Sequence, residues 1–153
     1  MTEPEPGAIV RAWLVEMERC VGDEDFARCR AIFAPDVVAF GSLGERLVGL
    51  DTLERDQWRR VWPRIRGFRF DLERLDWGGG EPVMWLTCPW SSEGTRDDGT
   101  RFARPGRMTA VLERRDGVWV SVHTHHSVIP IQERRRGRHI GLPRRTRTPC
   151  LLC

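Results

Sequence analysis

The sequence predicts an α+β domain, in which helices cover one face of a curved antiparallel sheet. Two observations lead to this prediction. Apolar residues recur with helical spacing only within the first 63 residues, and alternating, strand-like segments fill the chain from residue 67 to residue 128. The length of 153 residues suits one domain of ordinary size.

The first two helices are predicted from apolar periodicity and from end signals. Apolar residues spaced three and four positions apart over residues 7–21 indicate an amphipathic helix, which Gly22 ends. Asp23 is a suitable N-cap for a second helix, which runs through Ala34. Pro35 stops that helix, because proline cannot continue its hydrogen bonding.

A short strand, a return strand and a third helix follow. The β-branched and aromatic run at residues 37–40 predicts the first strand, and residues 46–49 are a candidate return strand. Asp51, with Glu54 three residues later, is a variant of the capping box and opens the third helix. That helix is expected to end near Pro63.

Four long strands complete the predicted sheet. The turns between them are indicated by Gly78-Gly79-Gly80, Asp97-Asp98-Gly99 and Asp116-Gly117. The predicted strands span residues 67–76, 82–92, 101–114 and 118–128.

The last hairpin admits two registers, which place different residues opposite each other. A two-residue loop at Asp116-Gly117 pairs Arg115 with Val118, whereas a three-residue loop pairs Arg114 with Val118. We favour the three-residue loop because it separates an apolar face from a polar face, which a slip of one residue would mix. The polar face then carries the side chains of Arg107, Thr109, His123, His125 and Ser127.

This polar cluster has two interpretations. It is either a histidine-based acid–base site beside an anion-binding arginine, or a polar network buried against a second subunit. We favour the network, because no carboxylate lies at a fixed spacing to orient a histidine. No zinc site is predicted from the three histidines, since His126 points away from His123 and His125. The C-x-x-C of Cys150 and Cys153 lacks a second pair of ligands.

The net charge of +3 is unevenly distributed along the chain. Residues 131–153 contain seven Arg and one acidic residue, whereas residues 1–130 contain 18 Arg and 21 acidic residues. We therefore predict a folded domain at residues 1–130 and an Arg-rich, disordered tail at residues 131–153. Because no aromatic residue separates its arginines, the tail supports weak contact with polyanions rather than a nucleic-acid site.

The residue types that are missing limit the chemistry and indicate the source. All 25 basic residues are Arg, and Lys, Asn and Tyr are absent, which excludes a Lys Schiff base or a Tyr acid. The codons of these three residues are AT-rich, so their absence indicates a GC-rich, bacterial genome. No apolar run approaches the ~20 residues that span a bilayer, and the N-terminus does not resemble a signal peptide. We expect a cytoplasmic protein without a membrane partner.

The closing segment of the sequence resembles that of a known family. It reads Asp116-Gly117-x-Trp119, followed by Val122-His123-x-His125-x-Ser127-x-x-Pro130. Upstream, Phe33-x-Pro35-Asp36-Val37-Val38 enters the first strand in a similar way. The pattern is similar to one branch of the nuclear transport factor 2-like superfamily. That branch comprises the SnoaL-like domains and the association domain of calcium/calmodulin-dependent protein kinase II.

The resemblance implies a cone-shaped fold, in which three N-terminal helices pack on a strongly bent antiparallel or mixed sheet. It also implies a pocket between the two layers and dimers that form through the outer face of the sheet. Members include ketosteroid isomerase, polyketide cyclases and scytalone dehydratase, as well as non-catalytic association modules. Mechanisms that need Tyr or Asn do not transfer to this chain, which has neither.

The resemblance also orders the candidate site residues. Aligned with the association domain, the last strand has Thr124 and His126 on its pocket face and His123 and His125 on its outer face. His126 is therefore the leading candidate for the acid or base, and Asp36, near the usual pocket rim, is the second catalytic candidate. The candidates for substrate binding are Trp85, Thr87, Thr124, Phe40 and Trp13.

Together, these observations predict a SnoaL-like protein with a small pocket. We expect an isomerase, cyclase or dehydratase that transfers a proton on a hydrophobic small molecule with a carbonyl group, and no cofactor is required. The alternative is a non-catalytic, homodimeric module for ligand binding or association.

Overall fold

The computed structural model describes residues 4–131 of the chain. Its helices are α1 (Pro6–Asp23), α2 (Phe26–Arg30), α3 (Leu50–Leu53) and α4 (Arg59–Val61). A π-helical turn (Glu54–Trp58) joins α3 to α4, and a 3₁₀ turn (Trp62–Arg64) follows α4, so that residues 50–64 form one helical segment. The predicted tail lies outside the described residues from residue 132 onward.

Seven strands within residues 4–131 form one mixed sheet. They are β1 (Phe33–Phe40), β2 (Leu47–Val48), β3 (Ile65–Phe70), β4 (Asp76–Gly80), β5 (Val83–Thr95), β6 (Arg101–Arg115) and β7 (Val118–Val128). The order is β2-β1-β7-β6-β5-β3, with β4 also paired to β5. All pairs are antiparallel except β1 with β7. Helices on a curved mixed sheet confirm the predicted α+β class.

Helix α1 covers the inner face of the sheet, which is the face toward the helices. Its buried residues recur at spacings of three and four, as predicted, and include Val10, Leu14, Met17 and Val21. They join one core with inward-facing side chains of the strands, such as Leu112. The space between α1, the segment at residues 50–64 and the sheet is where a pocket can form.

The boundaries of α2 and of the middle strands differ from the prediction. Helix α2 ends at Arg30 rather than Ala34, because the chain from Phe33 pairs with β7 instead. Its N-cap is Asp25, whose carboxylate accepts a hydrogen bond from the backbone N–H of Arg28 at 3.0 Å. The strand predicted over residues 67–76 is divided between β3 and β4 by a 3₁₀ turn. The three glycines predicted as a turn, residues 78–80, lie within β4.

The register of the last hairpin corrects the prediction of a three-residue loop. Asp116 and Gly117 both have positive φ angles, 50° and 79°, and form a two-residue turn that pairs Arg115 with Val118. A β-bulge follows at Val122, because Ser121 pairs with Leu112 whereas His123 pairs with Val111. The extra residue reverses the alternation, so the simple parity of β7 fails beyond this point.

Candidate functional site

The bulge in β7 decides which of its side chains point inward. Beyond Val122, Thr124 and His126 face the helices, as the family resemblance implied, and His123 and His125 face outward. Thr124 is almost completely buried opposite Ala110. The inner face of the hairpin therefore presents one histidine to the interior.

A small cavity lies between this face and the helices. Its walls are largely apolar, with Trp58 and Trp62 stacked on the helical side at 5.1 Å between ring centroids. Its polar side consists of Ser42, Gln57, Arg104, Thr124 and His126. The cavity has a volume of about 40 Å³, which is enough for about three ordered waters. The cavity is thus lined mainly by apolar side chains and has one polar side.

Arg104 is the charged residue of this wall. It lies on β6 and is only 9% exposed. Its guanidinium donates hydrogen bonds to Ser92 Oγ at 3.2 Å and to Ser42 Oγ at 3.5 Å. No carboxylate among residues 4–131 lies within ion-pair distance of it. Burial lowers the pKa of this guanidinium, which remains a cation at neutral pH.

His126 lies beside this cation. Its Nε2 is buried and has no hydrogen-bond partner in the described part of the chain. Burial, followed by the charges of His125 and Arg104, lowers the pKa of His126 from 6.5 to about 4. The imidazole is therefore neutral at physiological pH, and the ring that carries the unpartnered nitrogen borders the cavity.

Trp90 connects the two polar groups. Its ring centroid lies 5.5 Å from the Arg104 guanidinium carbon and 6.1 Å from the His126 ring centroid. Its indole Nε1 is buried and, like His126 Nε2, has no hydrogen-bond partner within residues 4–131. Three polar groups without a full set of partners therefore border one cavity.

A second group of predicted residues lies on the outer face of the sheet. Arg107 Nε donates to Ser127 Oγ at 3.0 Å, and Thr109 pairs with His125 across the strands. His123 Nδ1 lies 2.8 Å from the carbonyl oxygen of Val38. The five residues of the predicted polar cluster thus share a face, although the bulge changes the cross-strand pairs within it.

Most of the other predicted site residues lie away from the cavity. The Asp36 carboxylate is exposed and accepts a hydrogen bond from Arg115 at 2.5 Å, and this partner holds the pKa of Asp36 below its ordinary range. Trp85 and Thr87 lie on the outer face of β5, and Trp85 is 47% exposed. The expectations that Asp36 lies at the pocket rim and that Trp85 walls the pocket are therefore corrected.

The two remaining aromatic candidates have other positions. Trp13 is a core residue whose Nε1 donates to the carbonyl oxygen of Ile32 at 3.0 Å. Phe40 borders the cavity, but its ring also packs against His125 on the outer side, with centroids 5.3 Å apart. Phe40 is thus a rim residue, and Trp13 supports the fold.

Arg104 and Trp90 were not among the predicted site residues, although the sequence carries a signal for both. Arg104 shares strand parity with Met108, Ala110 and Leu112, which form an apolar, inward-facing row on β6. An arginine in such a row marks a buried charge. Trp90 continues the inward row of β5 in the same way.

Within residues 4–131 no three His, Cys, Asp or Glu side chains are close enough together to hold a metal ion. Cys20, Cys29 and Cys88 are buried free thiols. No helix of this part of the chain is both long and apolar enough to cross a membrane.

Comparison with known families gives a match over most of the chain. The model of a SnoaL-like domain matches residues 10–132. No curated protein matches the sequence.

Solved structures share the fold at low sequence identity. A nuclear transport factor 2-like superfamily protein from Salmonella enterica is 14% identical, with a TM-score of 0.71, over 86% of this chain and 96% of its own. A ketosteroid isomerase-like protein from Erwinia carotovora atroseptica is 15% identical, with a TM-score of 0.70, over 84% of this chain and 100% of its own. The association domain of the calcium/calmodulin-dependent protein kinase II of C. elegans is 17% identical, with a TM-score of 0.60, over 78% of this chain and 92% of its own.

Proposed function

The chain belongs to the family of SnoaL-like domains, and from this we propose that its inner cavity binds a small, largely apolar carbonyl compound and transfers a proton on it. Such a protein acts as an isomerase, cyclase or dehydratase and needs no cofactor. The observation that carries the proposal is the unpartnered Nε2 of His126, a neutral imidazole nitrogen at an apolar cavity.

The proposed step uses the neutral form of His126. With its proton on Nδ1, the imidazole accepts a proton at Nε2 from the carbon next to the carbonyl, which leaves an enolate and an imidazolium. Return of that proton to another carbon completes an isomerisation, and loss of a neighbouring hydroxyl as water completes a dehydration. The cation of Arg104 favours the negative charge that develops on the ligand. Asp36 is not part of the proposal, because its carboxylate pairs with Arg115 at the surface.

Hydrogen exchange at carbon tests this step directly. Acetone and butanone in D₂O would be followed by NMR, because loss of the α-proton signal reports proton abstraction. We expect the wild-type protein to accelerate exchange of at least one ketone, and His126→Gln to reduce that acceleration by about 100-fold. The matched control is His125→Gln, on the outer face of the same strand, which should exchange at the wild-type rate.

Two results would overturn the catalytic proposal. One is an unchanged exchange rate in His126→Gln. The other is binding of a ketone in the cavity without any acceleration by the wild-type protein, which would favour the non-catalytic alternative.

We also propose that the protein forms a homodimer through the outer face of its sheet. Exposed apolar side chains on this face, Trp85 and Phe40 among them, adjoin the polar cluster of Arg107 and His125 and support this proposal. Sedimentation equilibrium should give a dimer for the wild-type protein and a monomer for Trp85→Glu. Trp77→Glu is the control, because Trp77 is similarly exposed but packs toward Gly7 of α1. A Trp85→Glu protein that remains dimeric would contradict this assignment of the interface.

A further inference from the structure

We propose that the cavity recognises its ligand through a carboxylate group, with Arg104 as the counter-ion and the Trp90 indole N–H as a further donor. The inference deepens the proposed function, since it names the class of ligand for the same cavity. It does not depend on proton transfer by His126, so each proposal can fail without the other.

The first argument is the missing counter-charge of Arg104. A buried cation is costly unless an anion and hydrogen-bond acceptors compensate for its lost hydration. Arg104 is buried, its two acceptors are the neutral hydroxyls of Ser92 and Ser42, and residues 4–131 supply no carboxylate. Other arginines of the described chain, such as Arg30 and Arg115, pair with acidic residues. A ligand anion would complete the environment of Arg104.

The second argument is the number of free donors at the cavity. A guanidinium has five N–H donors, and the two serines use only two of them. The Nε1 of Trp90 is a buried donor with no partner in the described residues. The ring that carries it has its centroid 5.5 Å from the carbon of the same guanidinium. A carboxylate accepts about four hydrogen bonds through its two oxygens. It can therefore satisfy both groups at once.

The third argument is the charge and size of the cavity. One guanidinium balances one negative charge, whereas a phosphate dianion would need a second cation that the cavity wall lacks. The space for about three waters matches the heavy atoms of formate or acetate, and Trp58, Trp62 and Phe68 provide an apolar surround for a short alkyl group. The ligand class is therefore a small monocarboxylic acid.

Titration with matched acids and amides tests the inference. The ¹H–¹⁵N spectrum of the wild-type protein, in carboxylate-free buffer at pH 7 and constant ionic strength, would be recorded with formate, acetate and propionate. The same spectra with formamide, acetamide and propionamide measure binding of the neutral counterparts. We expect a downfield shift of the Trp90 indole signal, identified from a Trp90→Phe spectrum. At least one acid should bind at least tenfold more tightly than its amide.

Variants of Arg104 test the counter-ion. Arg104→Met should lose the preference for acid over amide, whereas Arg104→Lys, which keeps the positive charge, should retain part of it. Arg101→Met is the control on the same strand, because Arg101 is exposed and pairs with Glu93 at 3.1 Å. It should bind acids as the wild-type protein does.

Three results would overturn the inference. They are equal binding of acids and amides by the wild-type protein, an unchanged preference in folded Arg104→Met, and equal binding of chloride at the same concentration. If Arg104→Met does not fold, the comparison of acids with amides on the wild-type protein still decides. If the protein binds acids selectively but does not accelerate ketone exchange, the proposed proton transfer is refuted and the proposed recognition of a carboxylate is not.

Discussion

Acidification should weaken the fold through His126. Its pKa lies at about 4 in the folded protein and at 6.5 in the absence of its surroundings, because burial and the charges of His125 and Arg104 disfavour the imidazolium. Between these two values the unfolded chain binds a proton that the folded protein does not bind. Stability therefore rises with pH across this interval. The contribution of His126 is fully present above pH 6.5 and is lost as the pH falls toward 4.

The size of the effect follows from the difference between the two pKa values. A shift from 6.5 to about 4 corresponds to about 3 kcal/mol of unfolding free energy over the whole interval. About 2 kcal/mol of it should be lost by pH 5, where most of the unfolded chains carry the proton. For a domain of this size, that loss lowers the unfolding temperature by several degrees.

Urea unfolding from pH 7.5 to pH 4.5 measures the contribution of His126 to the unfolding free energy. Acidic side chains also titrate in this range, so the informative quantity is the difference between the wild-type protein and His126→Gln at each pH. We expect His126→Gln to be less sensitive to acid than the wild-type protein, whereas His125→Gln, which removes only one of the neighbouring charges that lower the pKa of His126, should change the profile less. A difference between wild type and His126→Gln that is constant with pH would refute the buried, neutral state of His126.

Two further predictions concern the cavity wall and the surface. Gly106→Ala should destabilise the fold by about 1–3 kcal/mol in urea unfolding, because a Cβ there would lie 2.1 Å from the Trp90 ring. Gly80→Ala, where the new methyl group meets nothing within 4 Å, should cost clearly less, and equal losses would contradict the packing of Trp90. Asp36→Asn, which breaks the exposed pair with Arg115, should leave ketone exchange and acid binding at wild-type values. A loss of ketone exchange in Asp36→Asn would contradict the exclusion of this carboxylate from the proposed mechanism.

Local signals predicted the main elements of the fold. The apolar stripe of α1 appears as periodicity in the sequence, and the alternation over residues 82–128 gave the strands that build the sheet. The cone architecture came from the family resemblance rather than from periodicity. The helices and strands could be predicted from the sequence because each depends on residues that are close together in the chain.

The details of the site were less accessible, because they depend on pairing between distant residues. The bulge at Val122 leaves no turn residue or break in the sequence, and it reverses the inward side of β7. The choice of His126 came from the family alignment, since alternation from Trp119 alone does not identify the inward side. For Arg104 the information was present in the parity of β6, but an arginine between apolar residues is usually assigned to the exposed face.

The most direct test of this account is a crystal structure of the protein grown with acetate. We place the functional site in the inner cavity rather than in the histidine cluster on the outer face. We expect acetate in the cavity, with its oxygens within hydrogen-bonding distance of the Arg104 guanidinium and the Trp90 indole N–H and its methyl group toward the stacked tryptophans. Acetate bound instead to Arg107 and His125 on the outer face, with the cavity holding only water, would contradict the claim.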